Sequence, residues 1–251
     1  MIKKAIIFMF LFASMINVGY AKKDVFTKEQ RAEIEKMVEE VLINDPSIFV
    51  RVVEKIKQNE ENERVKKQSE KISANLERFD AEHDPFLGKD GKDVVYIYHF
   101  FDYNCGYCKV MSKTILEMAE KLENVKIVMK ETPIFGEDSE YAARAGLYAN
   151  QKGKFKEFYK EMMSTKARAN EETVSRISKN IGLNVKEMKK FVDSKEAKDS
   201  ISQNTSLAID VEIQSLPTTM IGQKLFPGAL SYDEMAKLVS EYKEFLKKEN
   251  K

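Results

Sequence analysis

Cysteine and histidine are scarce in this chain of 251 residues, which has only Cys105, Cys108, His83 and His99. One internal disulfide at most can form, and a zinc site, which takes four ligands, would need all four of these residues to converge. Excess charge of either sign is also missing, with 42 Lys and Arg against 41 Asp and Glu, so nothing marks a nucleic-acid partner. Long apolar runs are missing too. The one from Ala5 to Val18 is short for a membrane span. It follows Lys3 and Lys4 and ends at Gly19-Tyr20-Ala21, small residues of the kind a signal peptidase reads, so residues 1–21 are expected to be a signal peptide. A retained anchor is the weaker reading. Without those two lysines, 40 basic residues face 41 acidic ones, a net charge near −1. The 43% of apolar residues is enough for a real core.

What is present is concentrated in VVYIYHFFDYNCGYCK, Val94 to Lys109. A run rich in Val, Tyr, Ile and Phe that stops at Asp102-Tyr103-Asn104 predicts a strand feeding a helix from about Gly106 to Glu123. Cys105 then stands at a helix N-terminus, where unpaired backbone N–H groups and the helix dipole favour thiolate over thiol. Cys108, one turn inside, is placed to attack a mixed disulfide. Three chemistries are open to such a pair. Zinc would need His99 to point at the pair and His83 to leave a separate charged segment. A structural disulfide would be strained and exchangeable with so short a spacer. Thiol–disulfide exchange uses the arrangement as it stands. An exported chain with one such pair belongs where disulfides are made.

The remainder divides into an arm, a strand-containing body and a helical insertion. Residues 22–83 look helical and unlike the rest. Thr27 and Gln30 form a capping box, Ile34, Met37, Val38, Val41 and Leu42 follow at helical spacing, and Asp45-Pro46 starts a second helix carrying Phe49, Val52, Val53 and Ile56. Beyond Lys57 only Val65, Ile72, Leu76 and Phe79 interrupt a polar run, a stripe too thin to bury a helix in a monomer's core. The arm is either a solvated spacer or an oligomerisation element through residues 26–79, with Val65, Ile72 and Phe79 continuing an intersubunit seam. The second reading is preferred. Asp84 to Gly91 reads as a turn-rich join, opening a domain over residues 84–251. Val125 to Lys130 reads as a second strand, about 138–210 as inserted helices, Thr218–Ile221 and Lys224–Phe226 as a hairpin after Pro217, and Ser231 with Glu234 as the capping box of a last helix.

This order, with FFDYNCGYCK, PIFGEDSEYAARAGLYA and SLPTTMIGQKLFPGALSY, resembles the DsbA-like thiol:disulfide oxidoreductases of the thioredoxin superfamily. The arm is similar to that of exported ScsC-type members. The resemblance implies an α/β thioredoxin fold, Cys105 as exposed nucleophile, Cys108 as buried resolving thiol, Pro217 as a cis-proline holding substrate backbone, and no cofactor. It also implies cysteine-containing folding or misfolded exported proteins as clients, a membrane redox partner, and a periplasmic or cell-surface location. Gly106-Tyr107 stands where strongly oxidising members usually carry Pro-His, which implies a milder oxidant, and Gly-Tyr is also the dipeptide of DsbC-type isomerases. Leu216 leaves oxidase and isomerase both open. His99 stands where the family usually has a buried acid, and a histidine there would shuttle the proton of the resolving thiol with a pKa near working pH. The rival reading is a surface or copper-binding protein whose Cys pair holds a soft ion.

Overall fold

The structure is a computed structural model, and it describes residues 25–82, 84–91 and 94–249. The signal-peptide expectation for residues 1–21, and His83, lie outside the described residues. The chain divides into two units, Met1–Glu61 and Asn62–Lys251, so the break falls inside a helix and ahead of the boundary at 83 read from composition.

The first unit holds α1 (Lys28–Asn44) and most of α2 (Ser47–Ala74). Thr27 and Gln30 close the capping box, Gln30 N–H donating to Thr27 Oγ1 at 3.2 Å and Thr27 N–H to Gln30 Oε1 at 2.9 Å. Asp45 caps α2 by accepting from Ser47 N–H at 3.1 Å. No residue of α1 is buried, and Met37, Val38, Val41, Phe49, Val52, Val53 and Ile56 are all exposed.

The second unit is built on a five-stranded sheet in the order β1-β3-β2-β4-β5. Its strands are β1 (Phe86–Gly88), β2 (Val95–Phe101), β3 (Val125–Glu131), β4 (Thr218–Ile221) and β5 (Lys224–Pro227). β2 and β3 run parallel, with His99 opposite Met129 and Phe101 opposite Glu131, and the other pairs are antiparallel. Alternate residues of β2 and β3 separate two cores. Ile97, Phe101, Ile127 and Met129 meet Cys108, Met111 and Ile115 of α3 (Gly106–Lys121), together with α9 (Tyr232–Glu249). Between β3 and β4 lie α4 (Glu137–Gln151), α5 (Phe155–Ser164), α6 (Glu171–Asn180), α7 (Val185–Val192) and α8 (Lys195–Asp210). Side-chain caps from Asn170, Asn184 and Ser194 start the last three, as short polar residues do when they satisfy the free N–H groups of a first turn.

Two expectations are corrected here. Ile72 and Phe79 are fully buried, packed with Phe100, Leu207, Val211 and Met220 on the sheet face opposite α3, so they are not free to continue an intersubunit seam. A stripe averaged over a whole helix misses this, because two large side chains suffice where only the end of α2 and the following 3-10 turn (Leu76–Arg78) meet the sheet. The segment is further held by Lys130, wholly buried, whose ammonium pairs with Asp84 and donates to Arg78 O at 3.0 Å. Secondly, the join at 84–91 contains β1, because Phe86, Leu87 and Gly88 pair with Val128, Ile127 and Lys126.

Candidate active site

β2 delivers the loop Asp102-Tyr103-Asn104 to the start of α3, and that loop is fastened before the cysteines begin. The Asp102 carboxylate is buried and accepts from Asn104 N–H (2.6 Å), Ser139 Oγ (2.8 Å), Ile134 N–H (2.7 Å) and Phe135 N–H (3.3 Å). One carboxylate thereby ties the cysteine loop to the β3–α4 loop. Asn104 extends the tie, its amide donating to Ser139 Oγ at 2.9 Å and accepting from Ala169 N–H at 2.8 Å.

Cys105 is the N-cap residue of α3, with an extended backbone, and its sulfur accepts from Cys108 N–H at 3.4 Å. Both cysteines are free thiols. The Cys108 thiol donates to Cys105 and, with the N–H groups of Cys108 and Tyr107, brings the Cys105 pKa down to about 6 against the opposing effect of partial burial. Cys108 shares the same bond from its donor end and is more deeply buried, so its pKa is pushed up. The two sulfurs are thus unequal: one ionises near neutrality and the other keeps its proton. Cys105 retains 5% of its surface and Cys108 none, so exchange with another molecule starts at Cys105. Its sulfur also lies 3.5 Å from Leu216 O, and the Leu216–Pro217 peptide bond is cis. Cys105, Cys108 and the Pro217 loop are therefore brought together.

His99 lies on the α3 face of β2, wholly buried, with Nδ1 3.1 Å from Thr219 Oγ1 and Nε2 without a partner. Its ring stacks on Phe101 with centroids 5.6 Å apart. Burial disfavours the imidazolium and lowers the pKa to about 3, so the imidazole stays neutral through the physiological range. This corrects the expectation of a pKa near working pH, which took the family position into account but not its dryness.

In the first turns of α3 and in the β3–α4 loop that Asp102 ties to it, Tyr107, Val110, Ile134 and Phe135 are exposed apolar side chains. Among the described residues, no group of three or more His, Cys, Asp or Glu is placed to hold a metal ion. Asp102, and the buried pair in which the Tyr103 hydroxyl donates to Glu131 Oε1 at 2.6 Å, were not picked out in the sequence. Glu131 ends a strand whose odd positions all face α3, and that parity was the available signal.

A family model described as a DSBA-like thioredoxin domain matches residues 96–240. A probable disulfide bond formation protein D of Bacillus cereus is 26% identical over 169 residues, 62% of this chain and 76% of that protein. The solved thiol-disulfide exchange protein alpha-DsbA2 from Wolbachia pipientis aligns with a TM-score of 0.66 at 26% identity, over 71% of this chain and 97% of that one. A linker-deletion mutant of Proteus mirabilis ScsC aligns at 0.65 over 88% of this chain and 98% of that one, and at 22% identity this likeness is one of fold. With the family match spanning more than half of the sequence and enclosing both sulfurs and the Leu216–Pro217 bond, this chain belongs to the DsbA-like thioredoxin-domain family of thiol–disulfide oxidoreductases.

Proposed function

We propose that this is an exported protein that forms or isomerises disulfide bonds in folding polypeptides, with Cys105 as the attacking and attacked sulfur and Cys108 as the resolving thiol. The observation that carries the reading is the inequality of the two sulfurs, a helix-capping thiol with 5% of its surface exposed and its pKa near 6 beside a fully buried one held protonated. As an oxidant, the disulfide form takes a client thiolate at Cys105, and a second client thiolate then displaces Cys105. As an isomerase, the Cys105 thiolate opens a wrong client disulfide and Cys108 rescues complexes that stall. A client backbone would pass the sulfurs at Leu216 and Pro217, a reading supported by the 3.5 Å approach of Cys105 Sγ to Leu216 O and by the exposed apolar Tyr107, Val110, Ile134 and Phe135 of α3 and the β3–α4 loop.

Export to the periplasm or cell surface is supported by the leader-like composition of residues 1–21. Self-association is supported by α1 and the first half of α2, whose apolar side chains are exposed among the described residues. An oligomer would hold several sulfur sites around one client at high effective concentration, which favours isomerisation. Clients would be cysteine-containing exported proteins, with a membrane redox partner resetting the pair. The deciding measurement is the reduction potential of the Cys105–Cys108 pair in glutathione buffers. A value of roughly −120 to −200 mV fits a donor or shuffler of disulfides, and one below about −270 mV overturns the proposal.

A further inference from the structure

The turn that leads into Cys105 is closed by a residue from another helix. Asn104 N–H donates to Asp102 Oδ1 at 2.6 Å, the Asn104 side-chain amide donates to Ser139 Oγ at 2.9 Å, and the Ser139 hydroxyl donates back to the same Asp102 oxygen at 2.8 Å. Three hydrogen bonds thus form a ring. Asp102 is 3% exposed and Ser139 1%. From the ring, Asp102 O reaches Cys105, accepting its N–H at 3.1 Å, and Asn104 Oδ1 reaches the α5–α6 loop, accepting from Ala169 N–H at 2.8 Å.

Ser139 stands in the first turn of α4, where a hydroxyl ordinarily serves its own helix. Here both hydrogen bonds of the hydroxyl leave α4 for the cysteine loop. The corners dictate what can occupy this place. A carboxylate only accepts and an amide nitrogen only donates, so the group between them must do both through one atom, as a hydroxyl does. Alanine would break two of the three bonds and leave the Asn104 amide short of a partner. A closed ring also gains from each bond polarising the next.

The place of the sulfur depends on this turn. Cys105 Sγ is held by long contacts, 3.4 Å from Cys108 N and 3.5 Å from Leu216 O. Small movements of the Cys105 backbone weaken contacts of that length. We propose that Ser139 is a positioning residue for the nucleophile, its hydroxyl closing the Asp102–Asn104 ring and so keeping Cys105 where the N–H groups of α3 receive its thiolate. Ser139 acts through Asp102 and Asn104, not on the reacting atoms. The charged and titratable groups at Cys105 are Asp102 from the preceding loop and Cys108 from α3. Lys109 of α3 turns away to Thr165 O at 2.7 Å, and Asp138 of α4 is paired with Arg168.

This inference rests on the exchange reading above, and the two can fail separately. Alkylation of the reduced full-length protein by iodoacetamide is followed by mass from pH 5 to 9 for wild type, Ser139→Ala, Asn104→Ala and the double variant. Ile72→Val, in the core on the opposite sheet face, is the control for lost stability alone. Asn104 is only half-buried, so its variant reads the ring even where Ser139→Ala fails to fold. The expected Cys105 midpoint rises by at least about one pH unit in each single variant, which makes alkylation at pH 6 about fivefold slower. The double variant shifts by less than the sum, as groups acting as a unit do, and the control keeps the wild-type midpoint. Midpoints within about 0.3 of wild type, strictly additive shifts, or an equal shift in Ile72→Val overturn the positioning role. Opening of the oxidised wild type by reduced glutathione is measured alongside, and a disulfide that opens at no pH overturns the exchange reading and this inference with it.

Discussion

Phe79 stands edge-on to Phe100, ring centroids 6.1 Å apart and planes at 88°, and the same ring meets Tyr98 at 5.1 Å. This aromatic contact joins the chain just after α2 to the central strand that carries the cysteine loop. Phe79→Ala removes a fully buried ring from the second core. The expected loss is about 3–5 kcal/mol in urea unfolding of the full chain. A loss under about 1 kcal/mol would show that residues 72–79 are dispensable to the body.

The Cys105 pKa near 6 makes alkylation pH-dependent in a known sense. The rate with iodoacetamide should rise through pH 5–7 with its midpoint near 6, and a midpoint above 8 would contradict the hydrogen bonds drawn to this sulfur. Stability follows by linkage. The folded pKa lies below the unfolded thiol value of about 8.5, so the contribution is fully present above that pH and is lost as pH falls through 6. The reduced wild type should therefore lose stability relative to Cys105→Ala between pH 9 and pH 5. Partial exposure of the sulfur keeps the effect below the ideal linkage value.

Gly88 has φ +91°, and a Cβ there would stand 2.3 Å from Val125 O, the acceptor of the Lys89 N–H at 2.9 Å. Neither the left-handed backbone nor the clash with a backbone oxygen can be relieved by a rotamer change. Gly88→Ala should cost at least about 2 kcal/mol and detach β1. Hydrogen exchange at Met129, whose N–H donates to Pro85 O at 2.8 Å just ahead of β1, provides the check.

For the arm, Val38→Glu with Val53→Glu places charge on two exposed apolar positions without touching the buried Ile72 or Phe79. Light scattering should show the mass falling to one chain, with oxidation of a reduced peptide retained and isomerisation lost. An unchanged mass would remove α1 and the first half of α2 as an assembly surface.

Where the sequence was informative, the signal was local. The strand before Cys105, the helix after it and the capping boxes at Thr27 and Ser231 each rest on residues within one or two turns of each other. What escaped depends on distant partners. Ile72 and Phe79 look isolated in a charged run until Leu207 and Met220 arrive from the other end of the chain. β1 is three residues that a turn-rich composition conceals, and only pairing with β3 makes them a strand. Glu131 reads as the polar end of a strand, and its burial needs Tyr103 and the missing side chain of Gly146. His99 was visible, but its ionisation was not, because dryness belongs to the folded surroundings.

The sheet has two free margins, and both are blunt. β1 is three residues long and ends at Gly88, while β5 is four residues long, begins with an exposed Lys224 and ends with Pro227, which has no N–H to donate. An unfolded chain brought to the sulfurs finds no long template on which to extend the ladder. On the function proposed above, in which unfolded polypeptides reach the sulfurs at every turnover, these short margins would keep the protein from being recruited as the seed of cross-β association.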